Sequence, residues 1–405
     1  MLPCGCSEKK QTKTTVQTEE RFQIRVLLLD NTKAVKLHVK SPFEAQQAQN
    51  KNAILSFNRI DEPLDINISD GIITVAGWSC PTGELLILPQ PPYVFNLNGS
   101  DYRGSLQLIV RTDGKTFDVI NQVPLESYLA GVIGAEMPAY WEPEALKAQT
   151  IASRTYCLYI KKRFGANRSW DVTRTQSNQV YNGIRAESQQ VWKAVEQTNG
   201  QVLTSKYPDG TEDIFPAYFA SSCGGHTENS ANVFGGESIP ALEGVPCPYC
   251  QYTAKSSSFY WPQAEVNKIT ASQKLVAKYP NLENLGTITE LLPTKQSDYK
   301  VKADSGILEF SRLFFFKLVG STGNSNHIRA EDLRNTLDPT GLMIKSTIFK
   351  IASIDDKWVF YAGRGWGHGS GLCQCGAQAL ARMEKKDCYQ ILSYYYPGSH
   401  IKNVY

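Results

Sequence analysis

From Arg21 onward the chain repeats short apolar runs, and this feature constrains its fold most strongly. Turn-forming Asp-Gly and Asn-Gly pairs separate the runs. Short apolar segments with turns at this spacing are typical of β-strands. We therefore predict a β-rich N-terminal region whose strands lie over residues 24–29, 72–76, 85–88 and 106–110.

Two helices are predicted after this region. Apolar residues recur at helical spacing over 125–133. Pro138 should end that helix, because it restricts Met137 and has no N–H to donate. Proline is favoured at the first position of a helix, so the second helix should begin near Pro143, and it should run to about Arg163.

The later part of the chain mixes strands and helices. Residues 264–350 contain two apolar runs, 313–318 and 344–351, which we predict as strands. A short helix is expected near 330–335, and another helix over about 376–384. The fold class that follows is α+β.

Length suggests two or three domains, since 405 residues exceed the roughly 150 of a typical domain. We divide the chain into three segments. Residues 1–20 are a polar tail without periodicity, which we expect to be disordered, and residues 21–115 are a β-rich region. Residues 116–405 are a mixed domain that contains a β-rich subdomain or insertion over 264–350.

Composition excludes some classes of function and structure. Apolar residues make up 41% and charged residues 20%, which is globular composition. A formal net charge of +3 gives no electrostatic reason to expect a nucleic-acid partner. No apolar run approaches about 18 residues, so no transmembrane helix is expected.

The N-terminus leaves the cellular location open. The residues after Met1 lack an apolar stretch, so no signal peptide is visible. An early cysteine followed by polar residues also fits a lipidated N-terminus whose signal was trimmed, and the alternative is a flexible tail.

Glu136 is the first candidate for chemistry. It lies three and four residues after Ile133 and Val132, so it shares their apolar face. Desolvation there should raise its pKa, as a general acid for glycosidic cleavage requires. The alternative is a capping or salt-bridged glutamate, paired for instance with Arg154.

Two ligand pairs predict a zinc site. Cys223 and His226 are separated by two residues, as are Cys247 and Cys250. This spacing is typical of structural Zn²⁺, and four protein ligands would leave no open position on the ion. The alternatives are two disulfides or free thiols, and a zinc hydrolase in which water replaces one cysteine.

A glycine-rich stretch, GRGWGHGSGLCQCGA, occupies residues 363–377. In an extended strand its alternate glycines would form one bare face, with Trp366 and His368 on the other. Trp366 suits stacking on a sugar, whereas His368 alone is more often structural. The alternative is a tight turn packed on a neighbouring strand, and the absence of a Lys makes a nucleotide loop improbable.

The remaining cysteines receive no metal. Two short Cys-x-Cys pairs, at 4–6 and 373–375, have no completing partner in the sequence. We expect Cys80, Cys157 and Cys388 to be buried as small apolar residues.

Several motifs in order resemble the stage II sporulation protein D family (SpoIID/LytB-like). They are VPLESYLAGVIGAEMP at 123–138, EALKAQTIASRTY at 144–156, QSNQVYNG at 176–183, AYFASSCGGHTEN at 217–229 and GRGWGHGSGLCQCGAQALAR at 363–382. The stretch LNGSDYRGSLQL at 97–108 also resembles the region that often precedes this domain. Together the motifs span about residues 118–396.

The resemblance implies a protein that acts on peptidoglycan. Members are lytic transglycosylases that cut glycan strands lacking stem peptides, or enhancers of cell-wall amidases. The glutamate of the family's A-E-M-P motif is its acid/base, and that position is Glu136 here. Some members also bind zinc through Cys and His after the S-S-C-G-G stretch. The partners implied are glycan strands and a cell-wall amidase, and the location implied is extracytoplasmic.

The chain departs from the family pattern in its last motif. Cys373 and Cys375 replace a serine and an aromatic residue around Gln374, and Trp366 replaces the more usual Phe. A hydroxyl or stacking role at the two cysteine positions is therefore in doubt, and a redox or metal role is open.

The mechanism that the resemblance implies needs a single carboxylic acid. Glu136 would protonate the leaving oxygen and then take the proton of the muramic C6 hydroxyl, which attacks the anomeric carbon. Hydrolysis would instead need a second carboxylate, with candidates Glu126, Glu142, Glu144 and Asp171. Motif residues expected to hold the sugars are Gln149, Arg154, Ser222, Trp366, His368 and Gln374. The competing hypothesis is a non-catalytic module that binds glycan and presents it to an amidase.

Overall fold

A computed structural model of the chain describes residues 22–47, 53–58, 60–80, 83–304 and 306–405. The predicted tail, with Cys4 and Cys6, lies outside these residues. Helices and mainly antiparallel sheets occur together in the described part, which confirms the α+β fold class. No helix among the described residues combines the length and the apolar character needed to cross a membrane.

The chain divides into two compact units. The first consists of the described residues up to Trp141, Ser153–Val202 and Asn403–Tyr405, and the second of Glu142–Ala152 and Leu203–Lys402. The predicted boundary at 115 does not separate units, because Phe117–Pro124 pairs with both Gln23–Thr32 and Ser105–Val110. The chain beyond residue 115 thus continues the N-terminal sheet.

Strands β1 to β13 belong to the first unit. They are Gln23–Thr32, Ala34–His38, Phe43–Gln47, Ala53–Phe57, Leu64–Ser69, Ile72–Val75, Trp78–Cys80, Glu84–Pro89, Val94–Leu97, Ser100–Arg103, Ser105–Val110, Phe117–Pro124 and Val172–Thr173. One sheet has the order β13-β1-β12-β11-β8-β3-β4 and the other β10-β9-β2-β5-β6-β7. All four predicted N-terminal strands are confirmed, as β1, β6, β8 and β11.

Burial along β1 shows how these strands form. Ile24, Val26 and Leu28 are buried, and the residues between them are half-buried. Successive side chains of a strand point to opposite faces, so every second residue of β1 enters the core. Residues 26–29 are all apolar, so the place of β1 in the sheet, rather than an alternation in the sequence, decides which face is buried.

Three helices follow the first strands, and they are α1 (Leu125–Glu136), α2 (Pro143–Phe164) and α3 (Gln189–Gln197). The first two confirm the predicted helices, with α1 ending two residues before Pro138. Gly134 lets α1 approach its neighbour closely, because a Cβ there would collide with the carbonyl oxygen of Ala186.

The second unit contains the remaining elements. Its strands β14 to β26 are Gln201–Lys206, Glu212–Ile214, Phe219–Ala220, Tyr260–Trp261, Ala264–Asn267, Ile288–Ala303, Gly306–Gly320, Ser325–Arg329, Lys350–Ile354, Lys357–Tyr361, Gly363–Arg364, Leu372–Cys373 and His400–Asn403. Its helices α4 to α9 are Ser230–Phe234, Ser256–Phe259, Lys268–Lys278, Ala330–Leu337, Gln374–Met383 and Cys388–Tyr395.

The predicted β-rich segment over 264–350 has its own apolar core. Phe316, Leu318 and Leu333 are among the buried residues that pack together in it. Helices α7 and α8 confirm the two short helices. The predicted strand over 344–351 is wrong for most of its length, because Ile344–Phe349 have no regular structure and the strand begins at Lys350.

Candidate functional site

Glu136 is the last residue of α1, and its side chain is half-buried. The Met137 N–H donates to the Ile133 carbonyl at 2.9 Å, after which Pro138 ends the helix. The backbone N–H of Val180 donates to Glu136 Oε1 at 2.7 Å. This donor fixes the orientation of the carboxylate.

Two tyrosines hold the segment that carries Val180 against α1 and β12. The Tyr128 hydroxyl donates to Gln179 Oε1 at 3.0 Å, and the Tyr181 hydroxyl donates to Asn121 Oδ1 at 3.0 Å. Burial raises the pKa of both tyrosines well above the usual value, so both remain neutral donors. The motif over 176–183 therefore positions a backbone donor rather than a side chain at Glu136.

Arg154 neither pairs with Glu136 nor reaches a position where it could contact a sugar. Its guanidinium is fully buried and donates to both carboxylate oxygens of Glu126, at 2.8 and 2.6 Å. Its Nη1 also donates to the Gln201 carbonyl at 3.0 Å. The salt bridge with Glu136 considered above is therefore absent, and the predicted sugar contact is corrected because no part of Arg154 is exposed.

Most other acidic candidates are engaged elsewhere. Besides Glu126, Asp171 is a buried carboxylate that accepts hydrogen bonds from Arg25 and Lys161. Burial opposes its ionisation, yet these donors lower its pKa overall. Glu144 forms an ion pair with Lys147 and accepts the N–H of Cys388. The structure thus ties up three of the four carboxylates that hydrolysis would use.

Four buried cysteines of the second unit form a cluster. The Sγ atoms of Cys223, Cys247, Cys250 and Cys373 all lie within 4.8 Å of one another. Cys373 is at the end of β25, immediately before α8. The sequence predicts no completing partner for Cys373, and this is wrong: β16 and β25 pair Cys373 with Ala220, which places its Sγ among the sulfurs of the other three cysteines.

The cluster has the dimensions of a tetrahedral thiolate site. Cys223 Sγ and Cys250 Sγ are 3.8 Å apart. Zn–S bonds of about 2.3 Å in a tetrahedron place two sulfurs about 3.8 Å apart. The Cys223 N–H donates to Cys373 Sγ at 3.3 Å, and the Tyr395 hydroxyl lies 3.1 Å from Cys247 Sγ. The four residues therefore fit a metal that prefers sulfur ligands.

His226 lies outside this cluster. Its ring stacks on Tyr299 with centroids 4.1 Å apart, and its Nδ1 lies 2.5 Å from the Thr227 carbonyl oxygen. Its predicted role as a ligand is corrected, because Gly224 and Gly225 both have positive φ and the chain turns between Cys223 and His226.

Between β24 and β25 the glycine-rich stretch has no regular structure, and it is not one extended strand. Gly365, Gly367, Gly369 and Gly371 all have positive φ, so the predicted bare face does not form. The backbone of this stretch follows residues 220–228. Ser222 and Trp366 exchange two N–H···O bonds, at 3.0 and 2.8 Å. The alternative of a tight turn on a neighbouring strand is not observed either, because the stretch runs alongside residues 220–228 through isolated backbone pairs.

The other predicted sugar contacts are mostly inaccessible. Gln149, Ser222 and Gln374 are buried, so their predicted contacts with substrate are corrected. Trp366 is half-buried, with the Lys345 ammonium 4.7 Å from its ring centroid. Burial lowers the pKa of His368 to about 4, and its Nδ1 accepts the Ser370 N–H, so this neutral ring has a structural role.

Sequence reasoning missed the residue that joins the inserted segment to the cluster. Arg312, on β20, is almost completely buried and donates to the Cys223 carbonyl at 2.6 Å. Its side chain lies 4.0 Å from Glu228, which also accepts the Tyr299 hydroxyl at 2.6 Å. No local motif marks Arg312, because its partners Cys223, Glu228 and His368 are all more than 50 residues away in the chain.

Comparison with known proteins gives a consistent family. A family model described as stage II sporulation protein matches residues 113–205. An uncharacterised protein of Brachyspira hyodysenteriae is 30% identical over 384 residues, which cover 93% of this chain and 92% of that protein. The chain belongs to the stage II sporulation protein D family.

Two relatives from Bacillus subtilis show how far this SpoIID-family likeness extends. Its amidase enhancer is 32% identical over 376 residues, 83% of this chain and 49% of that protein. Its stage II sporulation protein D is 29% identical over 300 residues, 70% of this chain and 76% of that protein. The chain therefore spans about half the length of the amidase enhancer.

The SpoIID match also separates the two candidate sites. Glu136 and Val180 lie within the matched residues 113–205, whereas all four clustered cysteines lie beyond them. Cys80, Cys157 and Cys388 are buried and outside the cluster, as predicted.

Proposed function

We propose that this protein is a lytic transglycosylase of bacterial peptidoglycan, with Glu136 as its acid and base. One observation carries the proposal. In the motif that the family shares, Glu136 is a half-buried carboxylate at the end of α1, and the Val180 N–H holds it in place. The expected location is outside the cytoplasmic membrane, where the polymer lies.

A single carboxyl group can perform both proton transfers. Glu136 protonates the glycosidic oxygen as the bond to the anomeric carbon breaks. The resulting carboxylate then takes the proton of the muramic C6 hydroxyl, whose oxygen bonds to that carbon. The products are a 1,6-anhydromuramic end and a free hydroxyl, and Glu136 is protonated again. No water is consumed, so a second carboxylate is unnecessary.

Product analysis tests this reaction. Purified glycan strands stripped of peptides are incubated with the protein and examined by mass spectrometry. We expect fragments with 1,6-anhydromuramic ends, which are one water lighter than hydrolysis products. Ordinary reducing ends would instead show a hydrolase and would contradict the proposed chemistry.

The second candidate function is a glycan-binding enhancer of a cell-wall amidase. The name of the 32% identical relative, amidase enhancer, favours this alternative. In that case the protein would bind stripped strands without cutting them, and it would raise the rate of an added amidase. Glu136→Gln would leave that stimulation unchanged, whereas it would abolish cleavage by an enzyme.

We also propose that the cysteine cluster holds a structural zinc ion. Cys223, Cys247, Cys250 and Cys373 would supply all four ligands, so the ion would bind no water and take no part in the reaction. Bound zinc would tie the end of β25 to two turns that are distant in sequence. A zinc hydrolase is disfavoured because four thiolates close the site.

A further inference from the structure

The strongest unassigned feature is an open groove of about 690 Å³ on the second unit. The C-terminal helix α9, the end of α8 and the turn between two clustered cysteines form its walls. Its lining includes Tyr249, Tyr389, Tyr394, Glu384, Asp387 and Ser393. None of these residues belongs to the Glu136 site or to the cysteine ligands.

The aromatic side chains of the groove are arranged as platforms. The rings of Tyr249 and Tyr394 are nearly perpendicular, at 70°, with centroids 5.9 Å apart. The Tyr394 hydroxyl donates to the Pro246 carbonyl at 2.6 Å, which fixes that ring. Tyr389 is 47% exposed. Such rings offer apolar faces to a ligand while their hydroxyls remain polar.

The polar groups of the groove are also held in place. Asp387 and Gln390 form the capping box of α9, with N–H···O bonds of 2.8 and 3.1 Å. Fixed carboxylate, amide and hydroxyl groups beside aromatic faces are suited to a ligand with many hydroxyls.

The groove carries both signs of charge. Lys386 lines it together with Glu384 and Asp387, so the ammonium group would face the lactyl carboxylate of a peptide-free muramic unit, and the carboxylates would accept hydrogen bonds from sugar hydroxyls. The volume of the groove falls in the range of small-molecule sites, about 300–1,000 Å³. A groove of this size is too large for a single ion.

We infer that this groove is a second, non-catalytic binding site for N-acetylated glycan. Sugar rings would stack on Tyr389 and Tyr394, and their hydroxyl and acetamido groups would bond to Glu384, Asp387 and Gln390. The inference rests on the proposed function in one respect, since it takes the ligand to be the same polymer. A site of this kind would hold the strand independently of Glu136.

Binding measurements in a Glu136→Gln background test the groove without cleavage. The probes are peptide-stripped glycan strands and a chitin tetrasaccharide. Tyr389→Ala removes a platform, and Ser393→Trp fills the groove from an exposed position of α9. The matched control is Tyr93→Ala, which removes a tyrosine that is 56% exposed in the first unit.

We expect each groove variant to bind both probes about tenfold more weakly, and the control to bind as the parent does. Parental affinity in both groove variants, or no binding of either probe by the parent, would overturn the inference. Cleavage is read separately from product masses. If the protein cuts strands while the groove variants bind normally, the groove is not a glycan site and the proposed reaction stands. If the groove variants bind more weakly but the protein cuts no strands, the groove is a glycan site and the proposed reaction is wrong.

Discussion

At the scale of single residues, the proposed reaction depends on how Glu136 is held. A backbone N–H donates to its carboxylate, and the buried arginine of the next helix is occupied by Glu126. Substitution of the Val180 side chain leaves its backbone N–H donor in place. The orientation of Glu136 should therefore persist even when Val180 is changed to another apolar residue.

Tyr140 should contribute to glycan binding. It follows Glu136 by four residues and is 85% exposed, in a turn closed by the Trp141 N–H and the Pro138 carbonyl at 3.0 Å. Stacking on a sugar would contribute about 0.5–1.5 kcal/mol. We expect Tyr140→Ala to raise KM for stripped strands about three- to tenfold with kcat little changed, and Tyr140→Phe to behave as the parent. An unchanged KM in Tyr140→Ala would exclude this contact.

Asp171 should give the protein a pH-dependent stability. Its donors lower its pKa below the about 3.9 of an unfolded aspartate, so its contribution is fully present above pH about 4 and is lost as the pH falls through the folded value. We expect Asp171→Asn to reduce the free energy of unfolding by about 3 kcal/mol at pH 7, with a smaller difference in acid.

Denaturant titrations between pH 2.5 and 7 measure this effect. The matched control is Asp65→Asn, which breaks an exposed pair with Lys36 and should cost about 0.5 kcal/mol at most. A cost for Asp171→Asn that is the same at every pH would rule out the ionised carboxylate as its source.

At the scale of elements, the glycine-rich stretch shows where sequence patterns mislead. Alternate glycines match a period of two, which predicts an extended strand. Four of them instead adopt positive φ, and the stretch pairs irregularly with residues 220–228. The pattern arises from close backbone approach: a Cβ on Gly369 would collide with the Arg312 guanidinium, and one on Gly371 with the Tyr218 carbonyl.

Helix α1 offers a test of close packing. Helix propensity alone predicts that Gly134→Ala would stabilise the protein by about 1 kcal/mol. Contact with the Ala186 carbonyl oxygen predicts the opposite sign, with a loss of about 1–3 kcal/mol. Thermal unfolding distinguishes the two, and a raised Tm would contradict the packing described for α1.

The cysteine cluster predicts which residues retain zinc. We expect the purified protein to contain stoichiometric zinc by elemental mass spectrometry, Cys373→Ser to lose it, and His226→Gln to keep it, because only Cys373 lies with the other three sulfurs. Loss of zinc from His226→Gln, with retention in Cys373→Ser, would restore the ligand set inferred from spacing.

At the scale of the whole molecule, the sequence predicts local structure better than long-range contacts. The predicted N-terminal strands and the four predicted helices are observed, because each depends on the period of its own apolar residues. Two features could not be predicted: the sheet continues beyond residue 115, and Cys373 joins the cysteine cluster. The first depends on pairing between β12 and β1, and the second on a contact with Cys223, 150 residues away.

The same limit applies to the candidate site. Glu136 could be found because its position on an apolar helix face is a local property. Its donor Val180 lies 44 residues away, and the buried state of Arg154 depends on Glu126, 28 residues away. Spacing within a motif does not encode which polar residue faces the solvent, so several motif residues were assigned to substrate although they are buried.

The most direct test of the account is the initial rate of strand cleavage by Glu136→Gln beside Glu142→Gln. Glutamine preserves the shape of Glu136 and an acceptor for the Val180 N–H, but it can neither donate nor take the proton. We predict a rate loss of about 10²–10⁴ for Glu136→Gln and parental activity for Glu142→Gln, a half-buried carboxylate six residues further on. Full activity of Glu136→Gln would contradict the assignment of Glu136 as the acid and base.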